Sequence, residues 1–188
     1  NNSVAYTEKP DPGIFMKEWL SLYESKSGER GIFSRASAQK KAAENGRRES
    51  NWDFGTNPCS EIILRPNQFC NLTEIVVRAG DTINTLTRKI KVATLLGTIQ
   101  STFTNFGYLR KVWQDNTEEE RLLGVSLTGI MDSELLNGRE TGLAKTLEKL
   151  KKVAVDCNKE YAEKFNINQS TAITCVKPSG TVSQLVDS

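Results

Sequence analysis

Hydrophobic positions along the chain alternate between short extended runs and helical stripes. Ser3-Val4-Ala5-Tyr6 is a short extended stretch, closed by a turn-rich segment from Thr7 to Gly13. After Pro12-Gly13, the residues Ile14, Phe15, Trp19, Leu20 and Tyr23 recur at helical spacing. Between Ser25 and Ser50 polar residues dominate, with Ile32 and Phe33 as apolar anchors. Basic and acidic residues interleave there, so the stretch reads as a solvated connection or short surface helix rather than a phosphate-contacting patch. Residues 52–77 are strand-like, with Ile62-Ile63-Leu64 and Ile75-Val76-Val77 separated by Pro66-Asn67 and Asn71. Leu86, Ile90, Ala93, Leu96 and Phe103 predict a helix from Thr85 to Phe103, and Thr117-Glu118-Glu119-Glu120 reads as a capping box opening another. The clearest amphipathic helix runs through Leu143, Leu147, Leu150, Ala154, Cys157, Tyr161 and Phe165. Ala172 to Val176 then looks like a buried strand running into Lys177-Pro178-Ser179-Gly180-Thr181. Strands alternating with helices predict α/β architecture. No internal boundary stands out, so residues 1–188 are expected to form part of one domain.

Composition narrows the chemistry. Hydrophobic residues are 37% and charged residues 26% of the 188, a globular profile. No apolar run approaches a membrane span, which predicts no membrane partner. The 25 Lys and Arg against 23 Asp and Glu leave a formal charge of +2, too balanced to argue for nucleic acid. Histidine is absent, which excludes Ser-His-Asp and Cys-His catalysis and any imidazole-dependent zinc site. Four cysteines without a CxxC fit a reducing, cytoplasmic compartment, as free or redox-active thiols. The chain starts without Met or a signal peptide and stops without a capping signal, so both ends read as cuts through a longer protein.

The densest candidate cluster is Asn57-Pro58-Cys59-Ser60-Glu61. Pro58 pushes Asn57 toward extended geometry. In an extended segment Asn57, Cys59 and Glu61 would share one face, roughly 7 Å apart per pair. An amide, a thiol and a carboxylate together can orient a hydroxyl, take its proton, and act as nucleophile or hydrogen-atom donor. Without histidine a thiolate lacks its usual base, and a neighbouring carboxylate disfavours it further. One-electron thiol chemistry therefore suits the cluster better than nucleophilic attack. A plainer reading makes Cys59 a small buried hydrophobe and Glu61 an exposed strand residue, and on five residues alone that reading leads. Likewise the Pro178-Ser179-Gly180-Thr181 turn could receive phosphate at a helix N-terminus or simply cap the helix. Cys157 and Cys175 fall on apolar patterns and read as core packing, and Trp19, Trp52 and Trp113 read as packing residues too.

The segment Phe54-Gly55-Thr56-Asn57-Pro58-Cys59-Ser60-Glu61-Ile62-Ile63-Leu64-Arg65-Pro66, followed by Gln68-Phe69-Cys70-Asn71-Leu72-Thr73-Glu74, resembles the active-site finger loop of ribonucleotide reductases. It is most similar to the adenosylcobalamin-dependent, monomeric class II type that reduces ribonucleoside triphosphates. Ser25 to Phe33, Asn116 to Ser126 and Lys177 to Thr181 carry the resemblance along essentially the whole chain. The short interval from Cys59 to Cys70 also resembles class II, the corresponding interval in class I being longer.

The resemblance implies part of a ten-stranded α/β barrel with a central finger loop. It implies that Cys59 becomes a transient thiyl radical that abstracts the ribose 3′ hydrogen, and that Glu61 takes the 3′-hydroxyl proton. Asn57 would hydrogen-bond the ribose hydroxyls, Cys70 would be one member of the redox dithiol, and Pro178, Ser179, Gly180 and Thr181 would bind the substrate phosphates. The implied cofactor is adenosylcobalamin, with no metal held by the chain itself. The implied partners are a ribonucleoside triphosphate, a nucleotide effector bound outside these residues, and a thioredoxin-like or dithiol reductant, in a monomeric parent. The cysteine that pairs with Cys70, the C-terminal cysteine pair and the effector-binding insertion have no counterparts here. The 188 residues alone are thus expected to be inactive and to fold poorly, with strand edges left open. The competing expectations are a reductase of another class, such as the large subunit of a class I diphosphate reductase, and a non-catalytic nucleotide- or nucleic-acid-binding module.

Overall fold

The computed structural model describes residues 3–188 apart from Glu29 and Glu140, so Glu29 of the upstream motif lies outside the described residues. The chain divides into two compact units, Asn1–Pro66 and Asn67–Ser188.

In the first unit β1 (Val4–Tyr6) pairs in parallel with β2 (Ile32–Ser34), and α1 (Pro12–Ser25) connects them. The Asp11 carboxylate caps α1, accepting from the amides of Gly13 at 2.8 Å and Ile14 at 3.2 Å. Pro12 sits where a helix has no amide bond to lose. The helical stripe predicted for α1 forms, yet it buries nothing: Trp19 is 55% and Tyr23 76% exposed. The unit's small core lies instead around Phe54, Ala38 and Ala42. The last two come from α2 (Arg35–Ala43), capped by the Ser34 hydroxyl, which accepts from the Ser37 amide. The stretch expected to be a solvated connection therefore contributes core, because its alanines recur four residues apart. A hairpin of β3 (Gly55–Thr56) and β4 (Ile63–Leu64) completes the unit.

The second unit is built from consecutive parallel crossovers. β5 (Asn71–Val76) lies parallel to β6 (Leu123–Thr128) over six paired positions, from Asn71 beside Leu123 to Val76 beside Thr128. α3 (Ile83–Gln100) and α4 (Lys111–Glu120) make the crossover. α5 (Leu143–Phe165) makes the next, returning the chain to residues 172–175, which extend the sheet on the other side of β6. The Leu123 and Val125 amides donate to the carbonyls of Ala172 and Ile173 at 2.9 and 2.8 Å, and the Cys175 amide donates to Val125 at 3.1 Å. The predicted buried strand is thus a short sheet segment with Ile173 inward, whereas Val176 at its end is exposed. β6 is central and almost wholly buried, as a parallel strand covered on both faces must be. Leu86, Ile90 and Ala93 of α3 pack with Leu150 and Ala154 of α5 over Ile75 and Val125.

Two local expectations change. Phe103 and Leu96 continue the periodicity of α3 but are exposed. Thr117-Glu118-Glu119-Glu120 closes α4 rather than opening a helix: the Thr117 hydroxyl donates back to the Trp113 carbonyl at 2.7 Å, and Arg121 ends the helix in the left-handed region. A Thr followed by acids serves as a cap only when its own backbone is extended, and here α4 has already begun at Lys111. Among the described residues no helix is long and apolar enough to cross a membrane.

Candidate active site

Residues 57–60 form a β-turn at the end of the β3–β4 hairpin, closed by the Ser60 amide donating to the Asn57 carbonyl at 3.0 Å. Pro58 occupies the position where its fixed φ is preset for such a turn. Ser60 adopts a positive φ of 66°, which swings the chain back into β4. The extended geometry expected for 57–61 therefore gives way to a turn: Pro58 restricts Asn57 to the extended region, but a turn's first residue is extended too. Cys59 stands exposed at the apex, which overturns its reading as a buried hydrophobe. Asn57 and Glu61, both half-buried, flank it on the two sides of the loop.

Asn57 also ties the loop together. Its backbone amide donates to the Ile62 carbonyl at 3.3 Å, and its side-chain oxygen accepts the Ile62 amide at 3.0 Å. Behind the hairpin lie residues that the sequence did not single out. The Arg48 guanidinium donates to the Ile63 carbonyl at 2.9 Å and lies 4.7 Å from the centroid of the Phe54 ring, which is 0% exposed. Arg65 lies over the Trp52 ring at 4.2 Å. Each such cation–π contact is worth about 0.5–2 kcal/mol. The spacing of Arg35 and Gln39, four apart on α2, puts both on one face, and they donate to the carbonyls of Phe54 and Trp52.

Cys70 belongs to the second unit and immediately precedes β5. Its neighbours are held firmly. Gln68 donates to the fully buried Glu120 carboxylate at 2.6 Å, and both the backbone and side-chain amides of Asn71 donate to the Leu122 carbonyl, at 2.9 and 3.0 Å. Phe69 packs tilted against Trp113 and edge-on against Phe106, at centroid separations of 4.6 and 5.2 Å. No local pattern in the sequence marks this support, because Gln68 and Glu120 are 52 residues apart and meet only in the fold.

The Pro178–Thr181 turn also lies in the second unit, ahead of the five-residue α6 (Val182–Val186). The Lys177 amide donates to the Ser126 hydroxyl at 2.9 Å, and the Ser179 hydroxyl lies 3.4 Å from that of Thr128, so β6 anchors the turn. Gly180 has a φ of +62° and nothing within 4 Å of where a Cβ would sit, leaving its backbone approachable. At the far end of α6, Arg78 donates to the carbonyls of Val186 and Asp187, a basic group where the helix dipole favours one. Cys157 is core, as expected: burial pushes its thiol up from the ordinary value. Of the tryptophans, Trp52 and Trp113 are engaged in ring contacts and Trp19 is exposed.

In its α/β fold the chain has a counterpart among solved structures. It superposes on 97% of its own length with a crystal structure of a B12-dependent, class II ribonucleotide reductase, at a TM-score of 0.62 and 21% identity, covering 33% of that chain. The fold is that of a segment of this class of enzyme. In sequence the chain is 31% identical over 156 residues to the adenosylcobalamin-dependent ribonucleoside-triphosphate reductase of Lactobacillus gasseri, covering 70% of this chain and 21% of the relative. The reductase of the same name from Lacticaseibacillus paracasei is 29% identical over 98% of this chain and 28% of its own length. The chain is thus a homologue of a segment of the adenosylcobalamin-dependent ribonucleoside-triphosphate reductases, spanning about a fifth to just over a quarter of these relatives. No protein-family model matches it.

Proposed function

We propose that this chain is part of the catalytic barrel of an adenosylcobalamin-dependent ribonucleoside-triphosphate reductase, contributing the finger loop to a ten-stranded α/β barrel. The observation that carries the reading is Cys59, exposed at the apex of a tied turn with Asn57 and Glu61 beside it. Adenosylcobalamin, when bound, supplies one-electron chemistry. The site suits such a group, because a thiol that must give up a hydrogen atom to an incoming species has to be accessible, and Cys59 is.

Cys59, once a thiyl radical, takes the 3′ hydrogen of the ribose. Glu61 receives the 3′-hydroxyl proton, and Asn57, whose amide has N–H donors beyond the oxygen it spends on Ile62, orients the ribose hydroxyls. A carbon radical beside a deprotonated hydroxyl expels the 2′ hydroxyl, which leaves as water by taking a proton from the dithiol that includes Cys70. The dithiol of which Cys70 is one half then gives its two electrons and remaining proton to the sugar and ends as a disulfide, while Glu61 returns its proton to the 3′ oxygen and Cys59 returns the hydrogen to the 3′ carbon. Backbone approach at Gly180, with Ser179 and Thr181 beside it, receives the substrate phosphates. Residues outside this chain provide the partner of Cys70, the effector site and the thiols served by a thioredoxin-like or small dithiol reductant. The whole protein is a monomeric cytoplasmic enzyme supplying DNA precursors.

The test is cofactor dependence of the open reading frame that encodes this chain. Deoxynucleotide formed from CTP and a dithiol only when adenosylcobalamin is added supports the reading. Product formed without cobalamin keeps a reductase and discards class II. Salt-sensitive nucleic-acid binding without product returns the chain to a binding module.

A further inference from the structure

We infer that Arg48 and Arg65 are positioning residues for the Cys59 turn: two guanidinium groups that cross-link the arms of its hairpin and hold the thiol in place. The inference rests on the proposal that Cys59 is the reacting thiol; the clasp itself does not.

The hairpin cannot hold its own tip. Each strand has two residues, with Gly55 paired to Leu64 and Thr56 to Ile63, and isolated two-stranded hairpins are marginal even when longer. Other groups must fix the arms. Arg48 touches both: its guanidinium carbon lies over the Phe54 ring, 4.7 Å from the centroid, just before β3, while an N–H reaches the Ile63 carbonyl in β4. Arg65, just after β4, covers the Trp52 ring of the opposite arm. Both arginines are buried, at 7% and 3% exposure. Arg35 and Gln39 fasten the carbonyls of the first arm to α2, so α2 holds the first arm and the Arg48 and Arg65 guanidinium groups hold the second to it.

Lysine cannot substitute for this. Only a guanidinium presents a flat face to a ring while donating in its own plane; an ammonium is a strongly hydrated point charge. The clasp therefore does more than neutralise charge. Hydrogen-atom transfer depends on distance, and a reacting group left loose by 1 Å loses rate steeply. The conservative Arg→Lys change separates placement from folding, because it keeps the charge and most of the apolar stem.

The experiment places a nitroxide spin label on Cys59 in the full-length protein that contains this chain, with Cys70→Ser, Cys157→Ala, Cys175→Ser and any further cysteines replaced by serine. Label mobility is compared for Arg48, Arg48→Lys and Arg65→Lys, with amide-exchange protection of α2 measured on the same samples. The clasp predicts that each Lys variant frees the label several-fold while α2 stays protected. An Arg48→Lys, Arg65→Lys double variant should free it more than either single change. Unchanged mobility in both single variants overturns the inference, as does mobility that rises only in step with loss of α2 protection, which would make the arginines purely structural. In the complete reductase, Arg48→Lys should lower kcat with KM unchanged. Should Cys59→Ser leave turnover intact while the label still loosens in the Lys variants, the catalytic reading fails and the clasp stands.

Discussion

The Asn57 side-chain oxygen accepts the Ile62 amide at 3.0 Å, so the residue that would orient the ribose also closes the loop that carries Cys59. The two roles use different ends of one amide and can be separated. Asn57→Asp keeps the acceptor and loses the N–H donors; Asn57→Ala loses both. Alkylation of Cys59 by iodoacetamide should match the unsubstituted chain in Asn57→Asp and change in Asn57→Ala, where the turn loosens. Turnover of the complete enzyme should fall in both, by about 10²-fold or more. Full activity in Asn57→Asp would remove the ribose contact from the account.

Asp81 gives the second unit a pH signature. Burial alone would raise its carboxyl, but hydrogen bonds from Lys89, the Thr85 hydroxyl and the Arg78 amide, with the Lys89 charge, hold it below the ordinary value. A carboxylate lowered on folding contributes stability above its unfolded pKa, about 3.9, and that contribution is lost as pH falls through the folded value. Asp81→Asn should therefore cost about 1–2 kcal/mol near pH 7, with the difference shrinking below about pH 4. Urea unfolding at pH 7 and pH 3.5 measures both. A penalty that does not change with pH would assign it to lost packing.

Gly129 is required by both φ and space. Its φ is +74°, and a Cβ there would lie 2.5 Å from the Val77 carbonyl oxygen. Gly129→Ala should destabilise the second unit by about 2–4 kcal/mol. At Gly80, where nothing lies within 4 Å and φ is ordinary, Ala should change stability by less than about 0.5 kcal/mol. Denaturation midpoints of the two variants provide the comparison.

How much of this was legible in the sequence depends on the range of the forces involved. α3 and α5 were readable because their buried faces, Leu86-Ile90-Ala93 and Leu150-Ala154-Cys157, repeat with the helix period. Their ends were less so, since exposed Leu96 and Phe103 continue the pattern without burial. The Thr117 motif misled because a local signature cannot say whether a helix has already begun. The turn at 57–60 was hidden because Pro58 constrains Asn57 identically in a strand and a turn, while the left-handed Ser60 that decides between them is no Asn or Gly. The division after Pro66 leaves no compositional mark. The roles of Arg48 and Arg65 depend on rings brought over from Phe54 and Trp52, contacts that a scan for periodicity cannot see. Cys59, Asn57 and Glu61 were found because their chemistry is concentrated in five consecutive residues.

The turn at Gly180 makes a narrower claim. Gly180→Ala meets no steric contact but must accept a φ of +62°, so it should disturb the turn locally and leave the second unit's melting nearly unchanged. If the turn receives substrate phosphates, KM for the ribonucleoside triphosphate should rise in this variant while a Gly80→Ala control stays level. An unchanged KM would place the phosphates elsewhere.

The central claim is that Cys59 is the thiol through which this protein reduces ribonucleotides. The most direct measurement is deoxynucleotide formation from CTP by the full-length open reading frame with adenosylcobalamin and a dithiol, alongside Cys59→Ser and with CTP binding measured on both. The account predicts complete loss of product in Cys59→Ser with CTP still bound. Product that persists in Cys59→Ser would contradict it.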